Sequence, residues 1–412
     1  MDFETKLEKY AQVIVRVGVN LQPGQRLLMW NPPYEAAPLV RAVAKTAYQA
    51  GAKLVVPVYD DEQMEILRIK HGSDESIEEY DHVAMDAVEK FAARGDALLS
   101  IQGLPPDYLK GLDEERVKKL ARVRTNGARP YVEAVTSSKV QWSAVRTPTQ
   151  AWADMVLPGL PESERVQAFW DWIFKLSRAD GDDPVTDWQA HIANLAKRKD
   201  FLNEKQYAAL KYSGPGTDLT IGLPAGHKWE GGQEHTISGI PHTANIPTEE
   251  VYTMPHRTQV DGVVRSTKPL DHGGVLMEDF TIKFEEGAAV HVEAKVGEDY
   301  LKSVLETDET ARFTGEVALV PHSSPISQSG LVFYDGLYDE NASCHIALGA
   351  SYKTNMQGGL DMSDEEFVAA GGNDSQLHLD FMIGSGELDI DGITQDGKAE
   401  ALMRAGEWAF EV

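Results

Sequence analysis

The chain has 412 residues, 42% of them apolar and 25% charged, with 35 Gly and 20 Pro; this is a water-soluble globular composition, neither fibrous nor low in complexity. At roughly 100–200 residues per domain it accommodates about two to three domains, each large enough to bury a core. Acidic residues outnumber Lys plus Arg by 65 to 39, a formal charge of −26, and a field of that sign repels nucleic-acid phosphates and anionic lipid while favouring metal ions and free amines.

The single cysteine, Cys344, has no internal disulfide partner, and the opening MDFETKLEKY has neither a basic n-region nor an apolar stretch. A reducing, cytoplasmic setting is therefore expected. The longest apolar runs, such as 54–58 with Pro57 inside it, fall far short of the ~18 residues that span a bilayer, so no transmembrane helix is expected.

In chain order, Phe3, Leu7, Tyr10 and Ile14 form the apolar stripe of a first helix that stops before Pro23-Gly24. Residues 27–30 read as a buried strand, followed by a helix with Leu39, Val40, Val43, Ala44 and Ala47 on one side and Gly51 at its end. A strand at 54–59, a helix over 76–94 and a third apolar strand at 97–101 complete a strand, helix, strand, helix, strand order. Crossovers of this length give parallel pairing, so the first portion is predicted to be an α/β domain with an open parallel sheet. It has no Gly-rich phosphate signature, and an α/β sheet alone names no ligand. A helix and turn over 113–139 lead to a strand at 140–145. Two Trp-rich amphipathic stretches follow, with Phe169, Trp170, Trp172, Ile173 and Leu176 and then Trp188, Ile192 and Leu195. Internal packing is the ordinary reading of such stripes, and a dimer surface the alternative.

Beyond about residue 212 the pattern turns to short alternating segments at 218–223, 250–254, 262–264, 280–284, 289–294 and 316–320, interrupted by a helix over 299–307. The organisation expected is an α/β domain over 1–205 and a strand-rich α+β domain over 206–412 that carries the chemistry. No fixed period recurs, which excludes a solenoid or propeller.

Nine of the twelve histidines lie in this second part, where imidazole and carboxylate together suit a divalent metal. In 376–382 strand alternation puts His378 and Asp380 on one face and Leu377, Leu379 and Phe381 on the other, with the polar pair about 7 Å apart at Cα. Glu316 is a lone acid in an otherwise uncharged strand, and Glu249 and Glu250 enter a β-branched and aromatic run; a buried carboxylate needs either solvent or a cation. The segment 341–352 is ambiguous between strand and helix; a helix would align His345 with Tyr352 and could be capped by Asn341. Cys344 beside His345 is better read as a small buried hydrophobe than as a nucleophile. HExxH, GxSxG and PCxxC are absent, which removes the signatures of zincins, serine hydrolases and zinc deaminases.

With the blocks NIPTEEVYTMP at 245–255, GEVALV at 315–320, NASCHIALG at 341–349 and HLDFMIG at 378–384, the chain resembles the M29 family of metalloaminopeptidases, the aminopeptidase T and aminopeptidase S group. The resemblance spans essentially the whole length. It implies a cocatalytic pair of divalent metal ions, zinc or cobalt, held by Glu250, Glu316, His345, His378 and Asp380, with Tyr352 on the family's tyrosine, and it implies a homodimer acting on peptides with a free N-terminus. On the ligand types, paired cations would activate a water for attack on the first peptide bond. Glu316 is expected to bridge them, and Tyr352 to donate to the oxyanion or complete a coordination shell. Glu249 is a weaker candidate for general base or for gripping the substrate ammonium. Two rivals are a metal-independent glycoside hydrolase using Glu250 and Glu316, and a non-catalytic metal-stabilised binding protein.

Overall fold

A computed structural model describes residues 1–103, 108–272 and 275–412. The chain divides into two compact units, one of Met1–His191 with Gln233–Pro247 and the other of Ile192–Gly232 with Thr248–Val412.

In the first unit β1 (Arg26–Pro33), β2 (Leu54–Asp60), β3 (Ala97–Gln102) and β4 (Trp142–Arg146) form a parallel sheet in the order β2-β1-β3-β4. Leu28 pairs with Leu98, and Leu98 with Trp142. The apolar run Leu27 to Trp30 is buried throughout because both faces of β1 are covered. The helix Ala37–Gln49 buries Leu39, Val40, Val43 and Ala47, the leucine and the two valines worth about 1.5–3 kcal/mol each on full removal from water. Met85, Val88 and Phe91 of the helix Val83–Ala92 join Leu28, Trp30 and Leu98 in one cluster on the other side. Strand β2 lies at the rim of the sheet, with Leu54 and Pro57 exposed. The first helix, Phe3–Val13, is capped by Asp2, which accepts from the Thr5 N–H. It continues as a π-helical turn, Ile14–Gly18.

The expected helix over 76–94 is broken. Asp74–Glu78 ends at the extended residue Glu79, and the Asp81 carboxylate accepts from the Val83 N–H to start Val83–Ala92 afresh. An additional helix, Glu62–His71, has one buried residue, Ile69, and therefore left no apolar stripe to read. In the Trp-rich stretches Phe169, Trp170, Ile173, Leu176, Trp188 and Leu195 are buried, while Trp172 and Ile192 are half-buried. Trp170 stacks on Phe174, and the completely buried Trp188 donates through Nε1 to the Ser177 carbonyl.

Among the described residues the second unit holds two antiparallel sheets, the larger of nine strands. The smaller comprises β5 (Val251–Thr253), β6 (Thr314–Leu319), β7 (His345–Gly349) and β8 (His378–Met382) in the order β8-β7-β6-β5. Residues 341–352 therefore contain a strand, with His345 at its start and Tyr352 beyond its end, not the two-turn helix that would have aligned them. Asn341 does not open a helix either. It closes the short helix Gly336–Glu340. Val317, Leu319, Ile346, Leu348, Leu379 and Phe381 share a buried core with Tyr212, Ile221, Phe280 and Ile282 of the larger sheet. By strand alternation the residues between them, including Glu316, His345, His378 and Asp380, lie on the opposite face. No helix among the described residues is long and apolar enough to cross a membrane.

Candidate metal centre

Register brings the polar face together. Glu316 pairs with Ala347 and Ala347 with Asp380, so the two acids flank a methyl group across three strands. His378 pairs with Gly349, and His345 with Ala318. Small residues at 318, 347 and 349 leave the space above the sheet to the longer polar side chains. A bulge between Thr314 and Glu316 re-aims Glu316 at the strand's entry.

The distances follow from that register. His345 Nε2 lies 3.2 Å from Glu250 Oε2 and 3.5 Å from Glu316 Oε1. His378 Nε2 lies 3.9 Å from Glu316 Oε2 and 3.4 Å from Asp380 Oδ2. One donor atom each from Glu250, Glu316 and His345 falls within 4.8 Å of the others, a spacing that can hold a metal ion. Glu316 thus turns its two oxygens toward two different imidazoles. Both rings are held from behind: His345 Nδ1 is 3.0 Å from the Glu340 carbonyl and 3.1 Å from that of Ser343, and His378 Nδ1 is 2.8 Å from the Ala350 carbonyl. Each Nδ1 then donates to a backbone carbonyl, which leaves Nε2 turned to the carboxylates as the nitrogen a metal would take on displacing its proton.

All five sequence-predicted ligands converge here, and a sixth group joins them. Glu340, the last residue of the helix Gly336–Glu340, interacts electrostatically with Glu250, Asp380, His345 and Glu316. Nothing in the sequence pattern singled it out, because it sits on a five-residue helix and not on an alternating strand. The set now counts four carboxylates against two imidazoles. Burial pushes Glu316 and Glu340 above the ordinary carboxylate range, reinforced by the neighbouring acids. Burial opposes the charged histidines, yet Glu250 and Glu316 hold His345 well above its usual range, and Asp380 lifts His378 to about 10. Asp380 is lowered: burial works against this, and His378 outweighs it. Asp380 Oδ1 is buried with no hydrogen-bond partner, and the buried Glu250 Oε2 faces His345 Nε2 at 3.2 Å. A carboxylate excess with a buried, unpartnered oxygen on Asp380 fits divalent cations, which would neutralise the acids and take up free lone pairs.

Tyr352 is 40% exposed. Its ring lies 4.8 Å from that of His378 and 6.5 Å from that of Tyr252. Burial of its hydroxyl, then Glu316 and Asp380, raises it well above the ordinary phenol range, so it keeps its proton. Glu249 is buried, and its N–H donates to Asn341. Cys344 points away from the centre. Its thiol donates to the Val320 carbonyl at 3.3 Å, and burial pushes it up to about 11, which leaves it no thiolate at neutral pH.

Comparison with known proteins finds relatives along nearly the whole chain. The profile of the family described as "Thermophilic metalloprotease (M29)" matches residues 3–408. The chain is 46% identical over 410 residues to Aminopeptidase 2 of Geobacillus stearothermophilus, covering 100% of this chain and 99% of that one. It is 45% identical over 408 residues to Aminopeptidase AmpS of Bacillus subtilis, covering 99% of both. The solved structure of wild-type AmpT from Thermus thermophilus superposes with a TM-score of 0.94 at 41% identity, covering 99% of this chain and 100% of that one.

Proposed function

Because the chain belongs to the M29 metallopeptidase family, we propose that its aminopeptidase chemistry is carried out at the centre formed by Glu250, Glu316, Glu340, His345, His378 and Asp380, within the strand-rich part, 206–412. The protein is a metal-dependent aminopeptidase. It removes N-terminal residues from peptides; the glycosidase reading leaves the two imidazoles unexplained, and relatives named aminopeptidases over the whole chain speak against the binding-protein reading. Held by Glu250, Glu316, His345, His378 and Asp380, two divalent cations, zinc or cobalt, would supply Lewis acidity for polarising the scissile carbonyl and lowering the pKa of the attacking water.

The remaining work falls to the side chains. Glu316, with one oxygen toward each imidazole, would be a metal ligand at the middle of the set. His345 and His378, fixed from behind by backbone carbonyls, keep Nε2 turned to the centre. Tyr352, neutral and beside His378, donates its hydroxyl to the oxygen that gains charge during attack. The excess of carboxylates attracts a substrate ammonium, which suits a peptide presenting its free N-terminus. Glu249 serves as a candidate for holding that ammonium. A homodimer and a cytoplasmic setting complete the reading, the first from the family resemblance and the second from the lone cysteine.

The observation that carries this assignment is the pair of Glu316 oxygens at 3.5 and 3.9 Å from two separate imidazoles. The test measures bound metal and release of N-terminal residues in wild type and Glu316→Gln. Loss of both is expected; a variant with full metal content and full activity would show that Glu316 is no ligand.

A further inference from the structure

Four of the six groups, Glu316, His345, His378 and Asp380, sit on strands whose ladder bonds locate them. The other two do not. Glu250 precedes β5, and Glu340 ends a five-residue helix. Something other than the sheet must fix their separation.

Asn341 is completely buried, and its carboxamide touches both segments. Oδ1 accepts from the Glu249 N–H at 2.7 Å, immediately before Glu250. Nδ2 donates to the Leu337 carbonyl at 2.9 Å and reaches Glu340 Oε1 at 3.4 Å. The residue is itself held, since its carbonyl accepts from Ser324 Oγ at 3.2 Å. One side chain therefore joins the backbone ahead of Glu250, the helix that carries Glu340 and the Glu340 carboxylate itself.

We infer that Asn341 is a positioning residue for the metal centre, tying Glu250 and Glu340 into one arrangement in place of the ladder bonds that locate the other four groups. The inference rests on the metal assignment above. No other type of side chain of this size offers both an acceptor for the Glu249 N–H and two donors. Aspartate keeps the acceptor, loses the donors and puts a like charge beside Glu340. Alanine loses everything.

The test is competition of the metal-free full chain with a chromogenic chelator for zinc. Asn341→Ala and the nearly isosteric Asn341→Asp are expected to bind zinc about 10–100-fold more weakly than wild type, the usual cost of removing a group that orients ligands. Asn203→Ala is the control. Asn203 pairs with both the N–H and the carbonyl of Trp229, so its loss lowers thermal stability and leaves zinc affinity unchanged. If Asn341→Asp, folded by circular dichroism, binds zinc within threefold of wild type while Glu316→Gln does not, Asn341 has no positioning role and the metal assignment stands. If Glu316→Gln binds zinc as wild type does, the assignment itself fails and this inference falls with it.

Discussion

Gly315 offers the most direct test of how the sheet seats its acids. A Cβ at this position would lie 2.1 Å from the Ala350 carbonyl oxygen and 2.4 Å from that of Gly349. Comfortable non-bonded separations are about 3.5 Å, so a methyl group forces a retreat of more than about 1 Å between β6 and the end of β7. The obstacle is backbone, which cannot swing aside as a flexible side chain would. The displaced Ala350 oxygen is also the acceptor that orients His378 Nδ1. Gly315→Ala thus moves Glu316 directly and His378 through its support. Overpacking of this kind costs about 1–3 kcal/mol, which lowers the melting temperature without unfolding the chain. A misplacement of about 1 Å at a reacting centre costs about 100-fold in rate. The expected result is a drop of that size in kcat/KM for an aminoacyl p-nitroanilide, with a modest fall in Tm. Activity within threefold of wild type would show that the close approach at Gly315 does not position the site.

Four further outcomes are expected. Ala347→Leu, between Glu316 and Asp380 in register, should abolish metal uptake while circular dichroism stays native; a variant with normal metal content would contradict the placement. Dialysis against a strong chelator should remove activity, and adding back zinc or cobalt should restore it; activity that survives complete metal removal would refute metal dependence. Cys344→Ala should keep wild-type kcat/KM, and alkylation of the native protein should leave activity intact, because the thiol is buried and raised to about 11; inactivation by the reagent would contradict this. Burial lowers His242 from 6.5 to about 4, so between these values the unfolded chain binds a proton that the native state refuses. Stability contributed above pH 6.5 is then lost as pH falls toward 4, by about 3 kcal/mol in full. Urea titrations at pH 7 and 4.5 should show a smaller pH difference in His242→Phe than in wild type, and equal differences would refute the assignment.

Alternation in a strand made much of the centre legible in the sequence. His378 and Asp380 stand out because Leu377, Leu379 and Phe381 take the other face, and Glu316 because it is the one charge in a run that otherwise wants burial. Glu340 could not be found in this way: its placement depends on a short helix returning over a sheet, a long-range event without local periodicity. The stretch around His345 was ambiguous because Ile346 to Leu348 is apolar on both faces, which removes the period that separates strand from helix. In the first unit, 76–94 carried apolar residues at helical spacing through a break set by the Asp81 side chain. The Glu62–His71 helix was silent because it buries so little.

Strand β2 has a consequence for the life of the chain outside its active role. A sheet margin carrying leucine, valine and tyrosine is a template on which strands from other molecules can grow, and here the Tyr48 hydroxyl already takes the Val55 N–H. Pro57, exposed in the middle of that margin, has no amide hydrogen to offer, so an incoming strand meets a missing rung halfway along. With the neighbouring donor on Val55 already occupied by Tyr48, the proline ring leaves the margin a poor template for strands from other copies.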